Sequence, residues 1–399
     1  MKLNLKEIVL FLGIIVLFSS FGSKKKFSKE IIVENPLAIN RVDEVVAINL
    51  KELKGLAKNH DYSNLLVKDQ KGILQPTQII DNNLDGNPDE LLFLANVPAL
   101  SKASYTVFEG EKEILQAPKS KYTTYARFVP ERTDDFAWEN DRVAFRTYGP
   151  EAQRLAEERK PNGTLSSGID LWLKKVSYPI IDSWYAKNLT TPGYYHIDHG
   201  EGYDPYHVGS SRGSGGSGIW LNDSLHTSKN FVNYRIIASG PLRTIFELDY
   251  APWSKFGVKE TKRISLDVGS NFTKFENAIS SSDKIPNYTL GITLHKEKGV
   301  VNINTSKGVF RHWEPIDDSF VGEGIVIAPK SVKTALNHHS KSPDQSQLLV
   351  VTEPKKGKLV YYVGFAWLKS GQIQSLEDWD ALLEKQAKII QNPLRIKIQ

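Results

Sequence analysis

The chain predicts an all-β protein: a large antiparallel β-sandwich of the elongated double-sheet type, with long inserted loops and one C-terminal helix. Three observations carry this. Beyond Asn233, short runs rich in Val, Ile, Tyr and Phe recur every ten to fifteen residues, with Gly, Asn, Ser and Pro between them. Runs of the same kind fill residues 31–109. Late in the chain, Leu376, Trp379, Leu383, Ala387 and Ile390 fall at helical spacing.

Taken in order, the first 22 residues read as a secretory signal peptide. Lys2 and Lys6 precede the apolar run Ile8 to Phe18, and Ser20-Phe21-Gly22 offers a small-x-small cleavage site. A run of about eleven apolar residues is too short to span a bilayer comfortably. No cysteine follows it, which excludes lipid anchoring. The expectation is a periplasmic or secreted protein with no stable membrane insertion after cleavage, residues 23–399 forming one sandwich domain. IIVENP and EVVAINL then read as strands, and Leu65 to Leu74 as a hairpin turning at Asp69-Gln70-Lys71-Gly72. Asp81 to Glu90 opens like a calcium loop, but Leu92 stands where the bidentate Glu belongs, so a turn between strands is expected. Trp138 to Tyr148 alternates, which as one strand places Arg142, Ala144 and Arg146 on a common face. Two guanidiniums on one face can fork onto a carboxylate or sulfate.

Residues 150–230 read as one long excursion between sandwich strands. It starts with a short helical stretch, EAQRLAEERK, stopped by Pro161-Asn162-Gly163. Trp172, Tyr178, Trp184 and Tyr185 follow, suited to stacking on sugar faces or to anchoring the loop on the core. Ser375 to Asp378 starts the late helix in capping-box style, Asn392-Pro393 ends it, and LRIKI closes the chain as a strand.

Composition narrows the function. The formal charge is +5, of which Lys2, Lys6 and Glu7 supply +1, leaving +4 dispersed over the mature chain. That is no basic stripe, so nucleic acid is not an expected partner. With no cysteine there is no disulfide, thiolate metal site or cysteine nucleophile.

Chemistry concentrates in Gly193 to Trp220, GYYHIDHGEGYDPYHVGSSRGSGGSGIW. It holds three of nine histidines, four of sixteen tyrosines and eight of twenty-eight glycines, with Asp198, Glu201, Asp204 and Arg212. Such groups are costly to bury unpaired and unusual in a plain loop, so the stretch is read as the wall of a catalytic cleft. Two histidines three apart, His196 and His199, suit a metal poorly here, because Gly200 and Gly202 disfavour a helix. No cofactor is expected, a divalent metal being the one alternative. Gly209 to Gly213 is no nucleophile elbow, and the glycine run lacks the Lys-Ser/Thr of a phosphate loop. What remains, His, Tyr and Arg beside yielding backbone, suits proton abstraction next to a carboxylate. The proton beside a uronate carboxylate becomes removable once that charge is neutralised; His or Tyr takes it, and a second such group protonates the departing oxygen. His196, Tyr206 and Arg212 are the candidate catalytic residues, with Arg212 as neutraliser. Asn140, Arg142, His199, Tyr203 and His207 are the candidate substrate contacts.

The strings WENDRVAFRTYGP, GIDLWLKKVSYPIIDSWY and YYHIDHGEGYDPYHVGSSRGSGG resemble a family of exported bacterial proteins catalogued as a domain of unknown function and associated with loci for degrading acidic polysaccharides. The resemblance covers most of the mature chain. It implies a galactose-mutarotase-like β-supersandwich and a lyase acting by β-elimination on uronates of ulvan-type oligosaccharides. The acidic oligosaccharide or polysaccharide is then the partner, and a dehydratase forming a 4,5-unsaturated non-reducing end is the leading expectation. A chain-cleaving lyase shares the chemistry; a glycoside hydrolase, an epimerase and a non-catalytic sugar-binding module are the readings from other classes.

Overall fold

The computed structural model describes residues 27–57, 61–110, 115–296, 298–342 and 344–399. The expected signal peptide, 1–22, lies outside them. Alternation of apolar residues along the strands decides the architecture. In Val258–Asp267, and over 358–362 of Lys358–Trp367, burial alternates residue by residue, so one face of each strand looks inward; the end of the second strand is buried on both faces. These strands belong to an eight-stranded antiparallel sheet that runs, edge to edge, Phe231–Ala238, Arg243–Trp253, Val258–Asp267, Phe272–Ser280, Lys358–Trp367, Ser319–Ile327, Val309–Ile316, Val300–Asn304. Two five-stranded sheets lie over its inner face. One is centred on Tyr288–Thr293 and Ser214–Leu221, the other on Ala144–Thr147 and Asp170–Lys174. A parallel bridge between Ile169 and Gly213 joins them. The main core fills the space between, with Phe145, Phe246, Ile264, Phe275, Leu290, Phe310 and Val363 among its buried residues. The fold is an all-β sandwich.

The outer face of the large sheet is covered in two places. The helix Leu376–Gln391, capped at Ser375 by a hydrogen bond from the Asp378 amide, lays Trp379, Leu383 and Ala387 on Phe272, Trp313 and Val326. Residues 28–109 and the closing strand Arg395–Ile398 build a smaller sandwich of their own, with Ile31, Val46, Phe93 and Val107 in a separate core. It docks through Ile80 and Leu92 on Leu242, Ile245 and Val268. The 81–90 segment is the expected turn: the Asp81 carboxylate accepts from the Asp85 and Gly86 amides, and Asp89 accepts from Asn82. No helix among the described residues is long and apolar enough to cross a membrane.

Two expectations change. Trp138 to Tyr148 is not one strand but a hairpin, Asp135–Glu139 paired with Ala144–Thr147. The Asn140 side-chain oxygen, Oδ1, accepts from the amides of Arg142 and Val143 and fixes the turn. Arg142 therefore lies in the turn, and Arg146 points into the core alone. Residues 150–230 are also more than an excursion. They supply the strands Asp170–Lys174 and Ser214–Leu221 and the helix Ile181–Thr190, whose first amides bind the buried Glu139 carboxylate. Trp172, Trp184 and Tyr185 are buried together there, while Tyr178 is exposed and donates to Glu201.

Candidate active site

The hairpin Val309–Ile316 and Ser319–Ile327 carries the site. Pleating sends Phe310, His312, Glu314 and Ile316 inward from the first strand, and Val321, Glu323 and Ile325 from the second. Register places His312 directly opposite Glu323. One imidazole and two carboxylates thus interrupt an otherwise apolar file.

Two further groups arrive from the facing side. The Tyr206 hydroxyl donates to Glu323 Oε1, while His312 Nδ1 lies 2.9 Å from Glu323 Oε2. His295, just past the strand Tyr288–Thr293, places Nδ1 2.7 Å from Glu314 Oε1 and Nε2 2.7 Å from the His207 carbonyl oxygen. Its ring stands edge-on to Tyr206, with centroids 4.7 Å apart. His295 has φ of 41°, in the left-handed region that a non-glycine residue occupies at a cost of ~1–3 kcal/mol. The surroundings hold that strain in place, which is a common mark of a functional position.

Protonation follows from the contacts. A carbonyl only accepts, so His295 Nε2 carries a proton; the carboxylate on Nδ1 calls for a second, and His295 is an imidazolium. Burial works against that charge, but the Glu314 hydrogen bond and the charges of Glu314 and Glu323 outweigh it and raise the pKa to about 9. Burial raises Glu323, against the hydrogen bond from His312. Burial, then the Glu323 charge, lifts Tyr206 well above the ordinary phenol, so it keeps its proton and acts as a donor. Glu323 fixes His312 as the Nδ1–H tautomer, and no described residue hydrogen-bonds its Nε2.

A stability consequence follows for His295. Its folded pKa of about 9 stands above the ordinary 6.5. The folded form therefore holds a proton that the unfolded chain releases between these values. The stabilisation is complete below pH 6.5 and is lost as pH rises through 9, on the order of 3 kcal/mol in all. Urea unfolding across that window should show the decline, and His295→Gln should flatten it. An equal slope in both proteins would assign the decline to other groups.

His312, Glu314 and Glu323 place one donor atom each within 4.8 Å of one another, a set chemically suited to a divalent ion of the zinc class. Each residue is engaged here by hydrogen bonds instead, through His295, Tyr206 and the His312–Glu323 pair.

The residues singled out from the sequence divide. Tyr206 is in the cluster. His207 contributes its backbone carbonyl, while its ring is exposed and 3.2 Å from Asp344 Oδ1. Tyr203 donates to Asp317 at 2.6 Å, with its ring against Trp367. His196 is exposed, with Nδ1 2.8 Å from the Asp204 carbonyl oxygen. His199 stacks on Tyr194. Asp204 itself is buried and ion-paired to Arg146, which also binds Asp170 and faces Asp135.

Arg212 is elsewhere. It is 1 % exposed, hydrogen-bonded to Ser167 and the Ser217 carbonyl, and shares no hydrogen bond with Tyr206 or His196. Its stem threads between Gly216 and Gly291, where a Cβ would stand 3.2 Å and 3.0 Å from Arg212 Cβ. Of the glycine run, Gly216 gives room to the arginine stem, while Gly213, Gly215 and Gly218 face Ile169, Val363 and Leu225. Asn140 commits its amide nitrogen to the carbonyls of Asp267 and Ser270 and its oxygen to the turn, which makes it a structural residue. Arg142 borders a cleft of about 670 Å³ on the outer face of the large sheet, opposite to the cluster and lined by none of residues 193–220.

His295, His312, Glu314 and Glu323 were not singled out from the sequence. The signal was present: RHWEPI puts His and Glu two apart in an alternating strand, and FVGEGIVI sets one acid in an apolar run.

Comparison with known proteins agrees with this fold. The chain is 42 % identical over 397 residues to "Uncharacterized protein P7" of Formosa agariphila, covering 98 % of each. A solved protein in the glycosyl hydrolase family 38 from Enterococcus faecalis superposes with a TM-score of 0.50 at 11 % identity, over 93 % of this chain and 47 % of that one. An alpha-mannosidase from Enterococcus faecalis V583 gives 0.48 at 11 % identity, over 93 % and 46 %. This chain spans about half the length of those solved chains, and at such identity the likeness is one of fold. Residues 33–396 match the family described as "Domain of unknown function (DUF4861)", and the chain belongs to that family.

Proposed function

We propose that this protein is a carbon–oxygen lyase acting by β-elimination on uronic acids of ulvan-type oligosaccharides, and that it dehydrates the non-reducing end to a 4,5-unsaturated uronate. One observation carries the reading: Tyr206, His295 and His312 converge with Glu314 and Glu323 on the inner face of the sandwich. The resemblance of the 138–216 strings to proteins from acidic-polysaccharide loci supplies the substrate class.

The roles follow from the protonation states. His312 Nε2, with Nδ1–H held by Glu323, accepts the proton from C5. The His295 imidazolium neutralises the adjacent carboxylate, the task first given to Arg212. The electron pair of the C5–H bond turns the C4–C5 single bond into a double bond, and the C4–O bond breaks, its electrons going to the departing oxygen. Tyr206, a firm proton holder, protonates the departing oxygen. Water leaves when position 4 carries a free hydroxyl; a sugar leaves when it carries a chain. Tyr206 and His312 are almost wholly covered, and Gly299 packs on His312 Nε2, so on this reading the cover over the cluster has to open for substrate. His196, exposed on the same stretch of chain as Tyr206, is the proposed substrate contact.

Saturated ulvan oligosaccharides incubated with the protein should gain conjugated-alkene absorbance and lose the mass of one water. New unsaturated ends would make it a chain-cleaving lyase; gain of water would make it a hydrolase and overturn the reading. Dialysis against EDTA should leave the rate unchanged. A loss restored by zinc would move charge neutralisation from His295 to an ion at His312, Glu314 and Glu323.

A further inference from the structure

A second polar group lies in the main core, away from the active-site cluster. On the strand Val258–Asp267, Glu260 and Lys262 take inward positions between the apolar Val258 and Ile264. Tyr250 faces them from the next strand, and Arg212 comes down from the facing sheet. All four are within 5 % of complete burial.

With both cations protonated the charges do not balance: Arg212 and Lys262 then carry +2, and Glu260 is the one carboxylate among the described residues that acts on both. Glu260 is moreover occupied by other donors: Tyr288 donates to Oε2, and the Ser228 hydroxyl lies 3.4 Å from Oε1. Lys262 Nζ is 3.6 Å from Glu260 Oε1, beyond a hydrogen bond, and 4.2 Å from the centre of the Tyr250 ring. Three buried donors here have no hydrogen-bond partner among the described residues: Arg212 Nε, Lys262 Nζ and the Tyr250 hydroxyl. Burial depresses Arg212 to about 10 and lowers Lys262, against the opposing pull of the single Glu260 charge on both.

An unpaired buried donor costs about 1–3 kcal/mol, and an uncompensated buried charge costs more. Three such donors around one excess positive charge form a site lacking an acceptor of charge −1. Water can meet the donors but not the charge. A divalent anion would overshoot it. The groups are all buried, which favours a small ion, and the free ones are N–H and O–H, the donor set of a halide.

We propose that the core binds one monovalent anion of the halide class between Arg212 Nε and Lys262 Nζ, as a structural ion pinning the facing sheets together. This does not rest on the lyase reading, since the site and the His312 cluster share no residue.

The probe is bromide. The full chain is dialysed into halide-free sulfate buffer and then titrated with bromide at constant ionic strength. Tm should rise saturably by roughly 2–5 °C, and Lys262→Met should lose the dependence. Because that variant removes a buried charge and its folding is uncertain, wild-type crystals grown in bromide give the independent readout: an anomalous peak within contact distance of both nitrogens. A flat bromide titration with no such peak overturns the proposal. So does a Tm that rises with sulfate or glucuronate and ignores bromide, which would assign the site to an oxyanion.

Discussion

His312→Asn is expected to lower kcat on saturated ulvan oligosaccharides by ~10²–10⁴-fold, the usual worth of a positioned general base. Asparagine is the informative replacement. It keeps an N–H in reach of Glu323, so the buried carboxylate does not lose a donor, but it has no nitrogen that takes up a proton. Alanine would confound lost chemistry with an unpaired carboxylate. KM should change little, since the base meets the substrate most strongly in the transition state. Tyr206→Phe removes the donor of the same unit and should cost a similar factor. The double variant should fall well short of the product of the two, as groups acting on one proton path are not additive. The measurement is initial rate by alkene absorbance, with near-ultraviolet circular dichroism to verify packing. A well-packed His312→Asn protein within threefold of wild type would remove this histidine from the mechanism and with it the assignment of the site.

The fold was legible because period-two burial leaves its mark on each strand. FELDY alternates in the sequence as it does in the sheet, and KLVYYVGFAW is an apolar, aromatic run bounded by turn residues. The helix was legible through Ser375 and the spacing of Trp379 and Leu383. What misled was density of chemistry. Eleven His, Tyr, Asp, Glu and Arg residues draw the eye to 193–220, but residues close in sequence end on three different surfaces: His199 on solvent, Tyr206 on Glu323, Arg212 among serines. The partners of Tyr206 come from positions 295, 312 and 323, roughly a hundred residues on. Strand pairing, which no local pattern encodes, brings them together. Ser214–Leu221 was hidden as a strand for a related reason: its glycines give room to Val363, Arg212 and Leu225 and leave no apolar alternation to read. The Arg142–Arg146 pairing failed on one residue, Asn140, whose side chain makes a turn where alternation suggested continuous strand.

Arg146→Met is expected to destabilise the protein by about 3–5 kcal/mol near neutral pH, the cost of breaking a buried ion cluster by removing one partner. Arg146 lies 5 % exposed among Asp170, Asp204 and Asp135, with its guanidinium over the rings of Trp172 and Tyr195. The cluster is already short of positive charge. Burial pushes Asp135 up to about 6, against the pull of Arg146 and Arg132, and burial with the Asp170 charge raises Asp204 well above the carboxylate range. Asp135 and Asp204 each keep one oxygen without a partner, as a proton-bearing carboxyl would. A carboxyl whose folded pKa exceeds its ordinary 3.8 is bound to more protons when folded, so stability falls as pH rises from 3.8 through the folded value. Removing Arg146 raises those folded values further. The deficit of Arg146→Met should therefore be largest at pH 8 and shrink toward pH 5, as the aspartates take up protons and cease to need a counter-ion. Urea unfolding at the two pH values measures this, and Asp170→Asn added to the variant should recover part of the loss at pH 8 alone. A deficit that stays the same at both values would mean that lost packing on Trp172 and Tyr195, rather than charge, is what Arg146 contributes. Activity should fall with stability in either case, because Asp204 stands two residues before Tyr206 and its carbonyl holds His196: the ion cluster fixes the segment from which the proton donor reaches Glu323.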